Sequence, residues 1–213
     1  MGIIRLGFPQ DFGYFLKEKY NIDTFIETGT FRGGTALWAS NVFDRVVTIE
    51  GSIYFYNLSK KKLQGKNIEL LFGDSKDCLK QISEKLSIPT VYWLDAHWCG
   101  SNTHGKQHEC PLMEELETVQ KNKNSFIFID DARLFLAPPP LPHNYKQWPT
   151  YSEIIKKLST THSLVVVDDV IICFPKKHER ALYKYCQKYI TQSNKSMSFI
   201  KKVKNKLISI CFN

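Results

Sequence analysis

Between Thr24 and Phe174 one pattern recurs: a short apolar and β-branched run that ends on an acid, followed in most cases by a stretch with helical spacing. Thr24-Phe25-Ile26 leads to Glu27, Arg45 to Ile49 leads to Glu50, and Ile68 to Gly73 leads to Asp74. Thr90 to Leu94 leads to Asp95, and Ser125 to Ile129 leads to Asp130 and Asp131. Near-continuous apolarity, rather than alternation, marks strands buried on both faces, as in parallel sheets covered by helices. The close differs. Ser163 to Val167 and Val170 to Phe174 are separated only by Asp168-Asp169, and a two-residue connection forces antiparallel pairing. The pattern predicts an α/β fold whose parallel sheet ends in an antiparallel hairpin. Helices are expected within residues 1–22, where Phe8, Phe12, Leu16 and Tyr20 pack on the sheet edge or lid a ligand. Further helices are expected from Ala36 to Phe43, from Tyr54 to Leu63, over 76–86, and after Lys176 on Ala181, Leu182, Tyr185, Cys186 and Tyr189.

The first run opens into a glycine-broken loop, Glu27-Thr28-Gly29-Thr30-Phe31-Arg32-Gly33-Gly34. Gly29 permits a tight turn, and Gly33-Gly34 let the next helix bring its N-terminus close to a ligand. A mononucleotide loop would need lysine where Thr35 stands, and a dinucleotide loop would need glycine where Phe31 stands. What remains, acid-x-Gly-x-x-x-Gly on Glu27, Gly29 and Gly33, resembles the first motif of class I S-adenosylmethionine-dependent methyltransferases. The later strand-end acids and the terminal hairpin extend the resemblance over residues 20–175. It implies a Rossmann-like seven-stranded, mostly parallel sheet with helices on both faces.

In open α/β sheets, ligands bind outside the carboxyl ends of the strands, where all these acids lie. An acid 21 residues beyond Gly29, as Glu50 is, can accept both hydroxyls of a ribose, or simply cap the following helix with Ser52. By the resemblance, Glu27, Gly29, Thr30 and Gly33 hold the methionine end of S-adenosylmethionine. Glu50 and Ser52 take the ribose, Asp74 and Ser75 face the adenine, and Asp95 closes the cofactor site.

Methyl transfer to a hydroxyl needs in-line geometry and a proton acceptor. His97, beside Asp95 on the site's rim, is the expected base. Asp95, Asp130 and Asp131 resemble the carboxylates that hold Mg²⁺ in catechol O-methyltransferase and in macrocin-type sugar O-methyltransferases, which makes Mg²⁺ a candidate cofactor. The loop from His97 to Pro111 also offers His97, Cys99, His104, His108 and Cys110, but in no standard zinc spacing. It is expected to lie over the strand ends, with Trp98, Glu109 and, from the Pro-rich stretch 133–149, Arg133 shaping the acceptor pocket. Asp-Ala-His-Trp followed by Glu-Cys-Pro-Leu resembles small methyltransferases of surface-polysaccharide biosynthesis, which implies a sugar, glycan or other polyol as acceptor.

Composition narrows the alternatives. At 213 residues one domain buries a core without staples, and six scattered cysteines suit a reduced, cytoplasmic setting. No run approaches the roughly 20 apolar residues of a membrane span, and no secretory signal is apparent. The net charge is +8, yet from Lys176 onward ten Lys or Arg face one acid, leaving residues 1–175 at −1. A nucleic-acid groove needs its cations on the domain itself, so nucleic acid is not an expected partner. The expected division is a catalytic domain over 1–175 and a basic extension over 176–213. The extension reads as a solvated helix, or as one lying on an anionic membrane or a partner. A homo-oligomer is compatible with this reading. The competing functions are methylation of nitrogen or of protein, and a nucleoside-binding scaffold without catalysis.

Overall fold

The computed structural model describes residues 7–83, 86–100 and 102–193. The chain falls into two units, Met1–Lys176 and Lys177–Asn213. In the second, residues 179–193 are helical; the basic stretch from Met197 to Ile208 lies outside the described residues. No helix among the described residues is long and apolar enough to cross a membrane.

The first unit is built on β1 (Thr24–Thr28), β2 (Arg45–Glu50), β3 (Ile68–Phe72), β4 (Thr90–Leu94), β5 (Ser125–Ile129), β6 (His162–Val167) and β7 (Val170–Pro175). They form one sheet in the order β3-β2-β1-β4-β5-β7-β6. The first five strands are parallel, and β7 runs antiparallel to both β5 and β6. The expected fold is the observed one. Asp168 and Asp169 both take positive φ (48° and 67°), the requirement of the two-residue turn that matches strand twist.

Strand periodicity sorts the core into two layers. Phe25, Trp93 and Phe128 point to one face, where Phe8 packs against all three. Phe8 precedes α1 (Gln10–Tyr20), and Phe12 of that helix packs on Phe128 as well. Ile26, Tyr92, Leu94, Ile127 and Ile129 point the other way into an aliphatic layer. That layer is covered by α4 (Ser75–Ser83), α5 (Leu112–Val119) and α7 (Tyr151–Leu158), which contribute Leu79, Leu116, Val119, Ile154 and Leu158. The same alternation carries Glu27, Asp95 and Asp130 to the aromatic face, each two residues beyond Phe25, Trp93 and Phe128. The ladder continues past the strand ends to hold them, Asp95 N–H donating to Thr28 O (3.1 Å) and Asp130 N–H to Leu94 O (3.2 Å).

Two helices differ from expectation. The helix after the glycine loop, α2 (Gly34–Ala39), stops short of Phe43. Ser40 Oγ and Asn41 Nδ2 both donate to Leu37 O (2.9 and 3.1 Å), and such local bonds compete with the helical ladder. Phe43 stays buried, but from a turn. The helix expected over 76–86 ends at Ser83 within the described residues.

Candidate active site

The sheet order reverses between β1 and β4, the switch point at which open α/β sheets take their ligands. Two adjoining cavities open there. The larger, about 620 Å³, is lined by Phe8, Glu27, Phe31, Arg32, Trp38, Asp95, His97, Asp130, Asp131 and Arg133 among others. The smaller, about 200 Å³, is lined by Glu50, Phe55, Thr103 and His104, and shares Gly29, Phe31, Asp95, His97 and Cys99 with the first.

The glycine loop forms the floor between them. Gly29 holds φ +84°, and its N–H donates to Ile49 O (2.9 Å). Gly33 (φ +67°) caps α2 and packs on Leu63; it lines neither cavity, whereas Gly34 lines the larger. Glu27 is buried, accepts a hydrogen bond from Thr48 Oγ1 (2.6 Å), and burial raises its pKa to about 8 against that bond. Thr30 is buried beside it, its hydroxyl 2.7 Å from that of Thr48. Glu50 accepts the Phe31 N–H with one oxygen and the Ser52 N–H with the other, both at 2.8 Å. A carboxylate has about four acceptor positions, so this one still has capacity toward the smaller cavity. Burial raises the Glu50 pKa, opposed by those two N–H groups. The rings of Phe31 and Phe55 meet beside it at 4.5 Å.

Other expected cofactor residues are engaged elsewhere. Ser52 caps α3 (Ile53–Leu63) and donates to Asn102 O (2.7 Å), tying down the 97–111 loop. Asp74 pairs with Lys76 (3.3 Å) and His104 (3.6 Å). Ser75 is buried and bonds to Glu115. None of the three lines either cavity.

The carboxylates of β4 and β5 gather around one imidazole. His97 Nε2 lies 3.2 Å from Asp131 Oδ2, and Nδ1 lies 3.5 Å from Asp95 Oδ1. Burial alone would favour neutral imidazole, but the Asp131 bond, with Cys99 and Asp95 beside it, outweighs this and holds the His97 pKa well above its ordinary value. Burial drives Asp95 well upward despite His97. Asp131, equally opposed by burial, is held low by His97 and Arg133. Arg133 reaches Asp131 Oδ1 at 2.7 Å and also bonds Asp169 from the β6–β7 turn. Asp130 is 8% exposed, and one of its oxygens accepts the Asp131 N–H (2.8 Å). Burial and the adjacent Asp131 raise its pKa to about 7.

The expected Mg²⁺ set does not fit this arrangement. Each oxygen of Asp131 already faces a basic side chain, His97 on one and Arg133 on the other, and one oxygen of Asp130 accepts a backbone N–H. No group of three His, Cys, Asp or Glu among the described residues is placed to hold a metal. The imidazoles of His104 and His108 in the 97–111 loop also point apart, to Asp74 (3.6 Å) and Glu114 (3.0 Å).

Two residues expected to contact substrate do not reach the cavities. Glu109 is buried and accepts from Trp148 Nε1 (2.8 Å), Asn144 N–H (3.0 Å) and His143 Nδ1 (3.2 Å). Those bonds outweigh burial and hold its pKa below the ordinary range. Trp98 packs edge-on against His143, with its N–H on Glu109 O (2.8 Å). Together they clasp the 97–111 loop to the Pro-rich 133–149 stretch. Of that stretch only Arg133 lines the larger cavity; the rest helps enclose a separate one of about 320 Å³. The cavity walls without an expected site role are Gln10, Arg32, Trp38 and Phe55. Only the aromatic run near the N-terminus gave any signal.

Beneath the site, Glu115 of α5 is 1% exposed, and its Oε1 has no partner among the described residues. The side chain bonds to Ser75 and Thr28, and Thr28 Oγ1 accepts the Asp95 N–H (3.2 Å). Burial raises the Glu115 pKa from 4.5 to about 7. The folded state therefore binds more protons than the unfolded state between these values, and stability falls as pH rises through that window. Glu115→Gln removes the titration. We expect the variant to gain roughly 3 kcal/mol on the wild type between pH 4 and pH 8 in denaturant melts, an order-of-magnitude figure. A parallel pH dependence in the two proteins would refute it.

No protein-family model and no curated protein matches the chain. Solved structures do. The O-methyltransferase TomG from Streptomyces achromogenes, involved in tomaymycin synthesis and in complex with SAM, is 17% identical, covering 81% of this chain and 82% of that one with a TM-score of 0.57. An O-methyltransferase from Bacillus cereus in complex with SAH is 18% identical (80% and 83% covered, TM-score 0.56). An SAH-bound methyltransferase from Podospora anserina is also 18% identical (78% and 76% covered, TM-score 0.52). At these identities the likeness is one of fold.

Proposed function

We propose that this chain is an S-adenosylmethionine-dependent O-methyltransferase acting on a hydroxyl of a small acceptor, a sugar or other polyol among them. The observation that carries the reading is the joining of two cavities at Gly29, one beside Glu50 and the other beside Asp130 and His97. Solved structures with this fold, carrying SAM or SAH, support it. The glycan end of the proposal has the weaker support, because Trp98 and Glu109, which carried that resemblance, serve as a loop clasp.

The residues present suit the cofactor. Glu50 would accept the ribose hydroxyls and the base would pack against the Phe31–Phe55 ring pair beside it, while Gly29 and Glu27 would lie along the methionine end. The bound cofactor supplies a methyl group already activated on a sulfonium, so the protein's task is position and proton removal. We assign the proton acceptor to Asp130 rather than His97. The His97 imidazole is held between Asp131 and Asp95, and the Asp131 bond favours its charged form, whereas Asp130 lines the larger cavity with a pKa of about 7. His97 then serves to orient Asp131 and Asp95.

Calorimetric titration with S-adenosylmethionine and S-adenosylhomocysteine tests the reading. We expect micromolar binding, weakened about tenfold or more in Glu50→Ala by loss of charge-assisted bonds to the ribose. Binding of neither ligand by the wild type would overturn it in favour of a non-catalytic scaffold.

A further inference from the structure

The larger cavity contains two guanidinium groups in very different circumstances. Arg133 is charge-paired: its Nη1 meets both Asp131 and Asp169. Arg32, on the β1–α2 loop, pairs with no acid among the described residues. Its guanidinium lies over the Phe31 ring, 5.2 Å from the centroid, and its carbonyl accepts from Lys62 Nζ (2.9 Å). The backbone is thus anchored while the charged end stays exposed at the cavity.

The acids that line the cavity are not directed at Arg32. Glu27 accepts from Thr48, Asp131 is divided between His97 and Arg133, and Asp95 lies beside His97. Phe8, Phe31 and Trp38 line the same cavity as Arg32 and the buried Asp130. An unpaired, planar five-donor group beside a ring-lined cavity matches the geometry of carboxylate and phosphate oxygens. Asp130 lines the same cavity and would meet a hydroxyl of such a molecule.

We propose that Arg32 binds an anionic group of the acceptor, a carboxylate or a phosphate, and so selects acidic acceptors over neutral ones. The inference rests on the methyltransferase reading for the acceptor's role, but not for the existence of the anion site.

The test is a set of calorimetric titrations on the full chain, with and without saturating S-adenosylhomocysteine. The probes are glucose 6-phosphate, glucuronate and glucose on one scaffold, and phenyl phosphate, 4-hydroxybenzoate and phenol on the other. We expect at least one scaffold to show an anionic form binding about tenfold tighter than its neutral form. Which anion gains more distinguishes phosphate from carboxylate. Arg32→Ala should erase the difference, while Arg45→Ala, whose parent residue pairs with Glu69 away from the cavities, should leave it intact. Equal binding of charged and neutral probes on both scaffolds, or a preference that survives Arg32→Ala, overturns the proposal. Failure of S-adenosylhomocysteine to bind strikes the methyltransferase reading instead, and the titrations on the unliganded chain still decide the anion site.

Discussion

Asp130→Asn is expected to lower methyl transfer by about 10²–10⁴-fold, the usual contribution of a positioned general base, while S-adenosylmethionine still binds. Asparagine keeps the acceptor oxygen for the Asp131 N–H but cannot take a proton from the substrate hydroxyl. The wild-type rate should rise with pH through about 7, because only ionised Asp130 accepts a proton and burial and Asp131 place its pKa there. Burial, Asp131 and Asp169 push its pKa up, the Asp131 N–H and His97 pull it down, and Asp95 also interacts with it. Asp131→Asn should therefore move the rising limb to lower pH, as the nearest like charge is removed. Its side effect on His97 would appear as a changed maximum rate rather than as the limb itself. A single-turnover pH profile separates the two. An Asp130→Asn enzyme that retains more than half the wild-type rate, with the limb in place, would remove Asp130 from the chemistry.

The residues that were legible in the sequence are those whose roles follow from local period. Glu27, Asp95 and Asp130 each stand at the end of an apolar run, and the two-residue alternation of paired strands is enough to bring them to one face. The hairpin was legible because no other topology fits a two-residue link. What escaped depends on contacts remote in sequence. Glu109 finds Trp148 and Asn144 at separations of 39 and 35 residues, across two irregular segments with no periodicity to announce the meeting. Ser75 was read toward a ligand but turns inward to a buried carboxyl on α5, a partner that helical spacing alone does not reveal. The expected magnesium set shows the limit of spacing most clearly. Three acids arrive at one edge as anticipated, but Asp131 faces His97 and Arg133 there, and no three metal-ligating groups among the described residues converge.

Gly29→Ala is expected to cost at least as much as the loss of the base, by a different route. A Cβ at position 29 would penetrate the Asp95 carbonyl oxygen and stand 2.8 Å from the carbonyl carbon. Both obstacles are backbone, and the Asp95 N–H is itself held by Thr28, so neither chain can yield without parting β1 from β4 at the switch point. The residue's φ of +84° adds strain for any L side chain, about 1–2 kcal/mol, to an overpacking cost of about 1–3 kcal/mol. We expect a stability loss of roughly 3 kcal/mol or more in denaturant melts, and no measurable S-adenosylmethionine binding in whatever remains folded. Gly34→Ala, five residues on, is the matched control: its Cβ would meet nothing within 4 Å, and as the first residue of α2 it should hold or slightly raise stability. The contrast assigns the requirement to close approach at one position rather than to glycine content of the loop. If Gly29→Ala melted with the wild type and bound cofactor as tightly, the junction of the two cavities would not depend on that approach, and the site would have to be sought elsewhere along the strand ends.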